Sequence, residues 1–482
     1  MKPQRIAIVG GGAAGVTLAW HLAALHQVTL YEAGEQLGGH AFTHTLMHEG
    51  KLIHADMGVE YFTERLAPNF MAHLKALNVD TFVAPLSFSC LNDDASVLWS
   101  NQQTTEASNQ ALRQAFDQFH QDMVEVSLHQ ERYKSWSVGD FVRERGYDPD
   151  FVNQALLPLL TVYSGCNGPS LDYSLVYCAV SFNMNLLSFF SPAYWRKAKG
   201  GIDGYLKIMH RMLGPGIRLN TQVMAVRSHG RGVEVSTHGG SEDFDQVIMA
   251  THADQALRMI EAPTPEQTAL LGAYEYVPVE AILHTDSAAV AHGSPDSYCV
   301  FVKAARAPDQ RSEERRVGKE CRSRQASHAW GTLTRVVTHF EPSSSPLYVT
   351  FDPKMALDPA KVILRKQWKL PKLRPLDLHR RSLIREIQGR DRIWYCGTDF
   401  SYGGHEGALT SGLVLAQRFG ASVDQGTNTS ARIQFELVKD LMGVESPSAR
   451  LIRHLDQRLL RIAEKLGAVE RLAPRVMRHY LQ

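Results

Sequence analysis

The sequence has no cysteine pair spaced as CxxC; its six cysteines, Cys90, Cys166, Cys178, Cys299, Cys321 and Cys396, follow no regular interval. That argues against a disulfide-stapled scaffold and against a sequence-local zinc site, and no metal is expected. Net charge is almost absent too. Lys and Arg total 51 against 50 Asp and Glu, so no global field recruits nucleic acid and no nucleic-acid partner is expected. No apolar run approaches the about 20 residues that a membrane-spanning helix needs. The thiols read as reduced, and the expected location is cytoplasmic or peripheral to a membrane. With 44% apolar and 21% charged residues over 482 positions, the composition is that of a globular chain of about three domains or one composite unit.

What is present begins at the N-terminus. Ile6-Ala7-Ile8-Val9 is too short for the apolar core of a signal peptide and stops at glycines, as a parallel strand buried on both faces does. Gly10, Gly12, Ala14 and Gly15 then spell a GxGxxG turn. Val16, Leu18, Ala19, Leu22 and Leu25 follow at helical spacing. The first glycine permits the tight turn, the second lets backbone approach a pyrophosphate, and the third lets helix and strand pack closely. The helix N-terminus supplies free N–H groups for the phosphate. A second strand, Val28-Thr29-Leu30-Tyr31, ends at Glu32, 17 residues after Gly15, where an acid grips a ribose hydroxyl and repels a 2′-phosphate.

Directly after Glu32 come Leu37-Gly38-Gly39-His40-Ala41 and Asp56-Met57-Gly58. With these residues the chain resembles the FAD-dependent amine oxidase and phytoene desaturase superfamily, whose first motif continues into such a Gly-Gly. The resemblance implies FAD and places Gly38, Gly39 and His40 against it. Near the other end, the strand signal Ile393-Trp394-Tyr395-Cys396 leads into Gly397-Thr398-Asp399, then Glu406-Gly407-Ala408 and a helical pattern from Ser411. This is similar to the superfamily's C-terminal flavin motif. By that resemblance Gly397 and Asp399 hold the ribityl chain, and the turn at Glu406, Gly407 and Ala408 starts a helix aimed at the flavin. Between the two motifs, Gly200-Gly201 precedes a helical pattern at Tyr205, Leu206, Ile208, Met209 and Met212, and Val223 falls where the superfamily lays backbone against adenine.

The expected fold is α/β: a Rossmann-like FAD-binding domain of the amine oxidase type, with an inserted α+β substrate domain and a C-terminal helical tail. The FAD domain is read as discontinuous over 1–70, 200–270 and 385–425, the substrate domain as 71–199 and 271–384, and the tail as 426–482. In the inserts, Ser137-Val138-Gly139-Asp140 resembles a capping box. Phe182, Leu186, Leu187, Phe189, Phe190 and Trp195 read either as plain core or as the wall of an apolar tunnel. Arg311 to Arg324 holds six basic and three acidic residues; it resembles a peptide that translated sequencing adapters leave in unrelated chains, and no function is placed on it. From 450 to 482, eight Lys and Arg stand against three Asp and Glu, and Ile452, Leu455, Leu459, Ile462 and Leu466 step at helical spacing. That stretch reads either as a cap on the protein or as a basic helix on the inner membrane surface.

The detail around His40, Trp195-Arg196 and Trp394-Tyr395-Cys396-Gly397 resembles bacterial NAD/FAD-binding oxidoreductases encoded beside cyclopropane-fatty-acyl-synthase-like methyltransferases. The resemblance implies a desaturase or oxidase acting on a lipid or fatty-acyl substrate, in a pathway shared with a methyltransferase. An oxidase of a small amine and a flavin-dependent isomerase are the alternatives. The tyrosine of the monoamine oxidase cage falls on Gly404, so one aromatic face is missing there. Neither aromatic walls nor an arginine for a substrate carboxylate can be located in the sequence. Cys396 does not match a covalent attachment position, which implies non-covalent FAD. His405, in the turn that the resemblance sets against the flavin, is the candidate catalytic base; His40, His252 and Asp254 are weaker ones.

Overall fold

Along the first strand, Arg5–Val9, side chains alternate between two buried layers: Ile6 and Ile8 pack with helices on one face, Ala7 and Val9 with a small meander on the other. That period of two, with no polar face, is what a central parallel strand requires. In the computed structural model this strand is the middle of a five-stranded parallel sheet. Its order is Ile393–Tyr395, Gln246–Met249, Arg5–Val9, Gln27–Tyr31, Ile217–Arg218. The structure describes residues 2–102, 107–164, 170–179, 195–290, 297–303, 331–340, 343–372, 374, 381–423 and 428–444. Cys166, the cluster from Phe182 to Phe190, Arg311 to Arg324, Cys321 and the basic residues 450–482 lie outside the described residues.

Because all five strands run the same way, their carboxyl ends share one edge, which is where open α/β sheets bind ligands. The chain leaves that edge at Gly10, Glu32, Ala250 and Cys396. One face of the sheet carries the helices Ala13–Leu22 and Gly404–Arg418, and the two approach closely: a Cβ at Gly412 would stand 2.5 Å from the Ala14 carbonyl oxygen. The first helix is shorter than its apolar pattern. It ends at Leu22, and Leu25, in the following turn, is 42% exposed. In the helix Gly204–Leu213, Tyr205, Leu206 and Met209 are buried, whereas Met212 is 62% exposed on the outer face. The other face of the sheet packs on the antiparallel meander Val223–His229, Gly232–Thr237 and Gly240–Phe244.

A seven-stranded, largely antiparallel sheet stands over that edge. Its strands come from 88–100 and 276–371, in the order Val362–Pro371, Tyr276–His284, Tyr348–Phe351, Gly331–Val336, Cys299–Lys303, Phe88–Leu91, Val97–Ser100. Helices between 107 and 164 pack against it through Phe116, Phe119, Met123 and Phe141, and each such side chain stabilises by about 1.5–3 kcal/mol on burial. The capping box at Ser137 is formed: its side chain accepts from the Asp140 N–H and the Asp140 carboxylate accepts from the Ser137 N–H. A π-helical turn, Val152–Leu156, feeds the helix Leu157–Ser164. Such widened turns often sit beside functional sites. Beyond 426 the helix Thr429–Met442 begins at an Asn428 cap and stops at Gly443 in the left-handed region; it buries Ala431, Phe435, Val438 and Met442 along one stripe. Among the described residues no helix is long and apolar enough to cross a membrane.

Candidate active site

A single cavity of about 1130 Å³ runs along the carboxyl edge of the parallel sheet and under the seven-stranded sheet. Residues from every motif meet in it: Gly10, Gly12, Ala14, Glu32, Gly38, Gly39, His40, Val223, Gly397, Asp399, His405, Glu406, Gly407 and Ala408. The loop at Gly38 is tied to the first glycine turn by a hydrogen bond from the Gly38 N–H to the Gly11 carbonyl, 2.8 Å. A Cβ on Gly12 would have nothing within 4 Å, so the backbone here faces open space that a side chain would fill. Gly15 does not line the cavity. A Cβ there would lie 2.0 Å from the Gly10 carbonyl oxygen, so this glycine fixes how closely the helix approaches the turn.

Glu32 stands at the end of its strand and spans two loops, its carboxylate accepting from the N–H groups of Gly11 and Gly34, both at 2.7 Å. Each oxygen keeps a lone pair for a ribose hydroxyl. The Thr221 N–H donates to the Glu32 carbonyl at 2.9 Å, which brings Val223, the buried first residue of its strand, to the same end of the cavity. Glu32→Ala is expected to weaken FAD about tenfold to 150-fold, the range for one charge-assisted hydrogen bond. Equilibrium dialysis of the flavin would measure it, and a fully yellow variant of unchanged affinity would remove Glu32 from this role.

Asp399 is the buried acid of the other end. Its Oδ2 accepts from the Tyr276 hydroxyl at 2.6 Å and the Ala253 N–H at 2.9 Å, and Tyr274 donates to its carbonyl. Its Oδ1 is buried without a hydrogen-bond partner. Burial raises the Asp399 pKa, opposed by His252, Tyr276 and the Ala253 N–H. An orphaned carboxylate oxygen on a cavity wall is what a hydroxyl-bearing ligand chain would satisfy. His252 and Tyr276 stack at 4.6 Å between centroids and 10°, and His40 stacks on His252 at 5.6 Å and 19°. With Nε2 of His40 donating to the Lys369 carbonyl at 3.1 Å, its Nδ1 is left as an acceptor. Desolvation and the neighbouring His252 hold its pKa down to about 4, so the ring is neutral.

His405 lies in the first turn of the helix Gly404–Arg418, its Nε2 3.1 Å from the Tyr205 hydroxyl and its ring edge-on to Phe70 at 4.6 Å. Desolvation, with His40 nearby, pushes its pKa down to about 4. A base of that strength takes a proton poorly at neutral pH, so these surroundings suit His405 to holding a neutral hydrogen bond. Glu406 lines the cavity, but its carboxylate turns to another helix. It accepts from Asn69 N–H and Nδ2 at 2.9 and 2.8 Å and from Phe70 N–H at 2.8 Å, capping the helix Pro68–Ala76. Cys396 is fully buried and does not line the cavity, and burial pushes its thiol pKa well up.

Three features were not legible in the sequence. Aromatic walls exist after all: Tyr61, Tyr173, Tyr177 and Tyr402 line the cavity from three separate segments, beside Trp195, which the sequence already offers as core or tunnel wall. Tyr177 lies over the backbone at Gly403, where a Cβ would meet its hydroxyl at 2.4 Å. An arginine is there too. Arg335 reaches the cavity beside Glu60, which also pairs with Lys197. Burial would raise the Glu60 pKa, but Lys197 and Arg335 outweigh it and keep the carboxylate ionised. Finally, Trp368 donates to the Met57 carbonyl at 2.8 Å and sets its ring 5.2 Å from His40. The only sequence signal for these was proximity of Glu60 to Gly58 and of Lys197 to Gly200-Gly201.

Residues 13–297 match the family model described as flavin containing amine oxidoreductase. No curated protein sequence matches the chain. Among solved structures, wild-type putrescine oxidase bound to putrescine is similar at 15% identity, over 86% of this chain and 98% of that one, with a TM-score of 0.64. A fatty acid isomerase from P. acnes that produces CLA is similar at 14%, over 87% and 100%, with a TM-score of 0.64. Cyclohexylamine oxidase from Brevibacterium oxydans IH-35A is similar at 14%, over 86% and 98%, with a TM-score of 0.63. At these identities the likeness is one of fold.

Proposed function

The chain belongs to the flavin containing amine oxidoreductases, an FAD-dependent oxidoreductase, and from that membership we propose that it withdraws hydrogen from an apolar, acyl-chain substrate using non-covalently held FAD. The observation that carries this reading is the second half of the cavity. Beyond the glycine turns and Asp399 it is walled by Leu86, Leu159, Leu160, Tyr173, Trp195 and Phe351. Its volume exceeds the about 300–1,000 Å³ of a pocket for one small ligand, so a dinucleotide leaves room for a second, apolar molecule.

The residues present fit FAD. Glu32 offers acceptors for ribose hydroxyls, the open backbone at Gly12 and the helix N-terminus suit the pyrophosphate, and Asp399 offers a free oxygen to the ribityl chain. When bound, FAD supplies a two-electron acceptor for a hydride or its equivalent. The aliphatic and aromatic walls exclude water and hold a chain by apolar contact. Buried Cys396 stands outside the cavity, which supports non-covalent binding. The same reading makes an acyl-modifying methyltransferase a neighbour in the reaction sequence.

A second reading, oxidation of an amine, is favoured by the rings of Tyr177 and Tyr402 at the cavity wall. The two are separated by anaerobic mixing of the yellow protein with acyl lipids in one cuvette and a panel of amines in another. Bleaching of the flavin near about 450 nm by lipid alone is expected. Bleaching by amines alone would overturn the acyl reading in favour of the second.

A further inference from the structure

We propose that Arg335 anchors a carboxylate carried by the substrate, so that the apolar chamber takes an acid and not an amine. The inference rests on the apolar-substrate reading above and adds the polar end of the molecule. Two cations, Lys197 and Arg335, share one carboxylate, Glu60, with side chains only 8%, 12% and 3% exposed. Lys197 is fully occupied. Paired with Glu60, its ammonium lies 5.6, 5.2 and 5.9 Å from the ring centres of Tyr61, Tyr298 and Phe340, behind the cavity wall.

Arg335 is different, because it reaches the cavity and uses only one nitrogen. Its Nη1 donates to the Gly58 carbonyl at 2.9 Å and lies 3.1 Å from Oε2 of Glu60 without a hydrogen-bonding angle. Its Nε and Nη2 have no hydrogen-bond partner among the described residues. The Phe351 ring, 4.7 Å from the guanidinium carbon, fixes its plane. The other buried acid near Glu60 is turned elsewhere: Asp56 Oδ1 is engaged by Thr43 and the Ile202 N–H, and burial together with Glu60 pushes that carboxyl up to about 7.

A guanidinium left with free N–H groups in an apolar wall bears its desolvation cost uncompensated. A planar carboxylate matches the fork with two parallel hydrogen bonds. The Tyr61 hydroxyl, on the same wall and buried with no hydrogen-bond partner, is a further donor within the cluster. An ammonium at this point would meet two cations that share one carboxylate.

The test is anaerobic calorimetric titration of the holoenzyme with decanoate, methyl decanoate and decylamine, three molecules that differ only at the head. Decanoate is expected to bind at least about tenfold tighter than the other two, one charge-assisted hydrogen bond's worth. Arg335→Met should abolish that advantage while leaving methyl decanoate within about twofold, and Arg335→Lys should restore part of it. Acid and ester binding equally to the wild type would overturn the anchor and leave the acyl reading standing. Decylamine binding tightest would overturn both, as would no binding by any of the three. The comparison of heads needs no variant, so it decides the matter even if Arg335→Met does not fold.

Discussion

Asp399→Ala is expected to purify almost colourless, with FAD affinity lowered about a hundredfold. The substitution removes a cavity-lining carboxylate, with its unpartnered Oδ1 and the Oδ2 that Tyr276 and the Ala253 N–H already hold. A hydrogen bond to a charged group contributes about 1.5–3 kcal/mol, which converts to roughly tenfold to 150-fold. The upper end applies because the change also leaves the Tyr276 hydroxyl and the Ala253 N–H without this acceptor in a buried site. Asp399→Asn keeps the shape and one carbonyl oxygen, so it should fall between the two. Flavin titration followed by fluorescence quenching measures all three proteins. Equal affinity across them would show that the orphaned oxygen takes no part in holding the cofactor.

The second large effect belongs to Gly15. Any Cβ there would be 2.0 Å from the Gly10 carbonyl oxygen and 3.2 Å from the Ala250 side chain. Neither neighbour yields cheaply, because the first is backbone in the turn that opens onto the cavity. Gly15→Ala is therefore expected to cost about 3 kcal/mol, the top of the usual range for overfilling a packed interior. It should also impair FAD retention, because relief requires the turn and the helix N-terminus to separate. Gly230→Ala is the control. That glycine has nothing within 4 Å of the added carbon, and its change should stay within about 0.5 kcal/mol. Denaturant midpoints with and without added FAD report both quantities. A Gly15→Ala protein as stable and as yellow as the parent would mean that the turn can open at little cost.

The two predictions draw on different kinds of information, and so do the parts of this molecule. The glycine turn and Glu32 are legible in sequence because their chemistry is local: strand, turn, helix and second strand follow within about thirty residues, and the spacing itself encodes the geometry. The C-terminal acid is legible for the same reason, as a strand running into a glycine-rich turn and a helix. The sequence pattern puts Glu406 in a flavin-facing turn, and the helix does begin there. Its side chain nevertheless reaches 337 positions back along the chain to Asn69, a pairing that no local pattern announces. His405 is a candidate base by its place in that turn. Its neutral, Tyr205-bonded state follows from how completely Phe70 and Tyr205 cover it.

By itself the sequence determined the buried central strands, a dinucleotide-binding turn and the residues at the strands' carboxyl ends, because alternation, glycine spacing and strand ends are short-range properties of the chain; FAD as the dinucleotide came from the family resemblance. Only the tertiary structure decided what the rest of the cavity is like. Tyr61, Trp195 and Arg335 come from separate elements, and Arg335 meets Glu60 only when its strand in the covering sheet crosses the Gly58 turn. Whether a buried cation is neutralised depends on which carboxylates the fold brings within a few ångströms, and burial then sets what that proximity is worth. A charge balanced over the whole chain says nothing about one that is left unbalanced in a single wall.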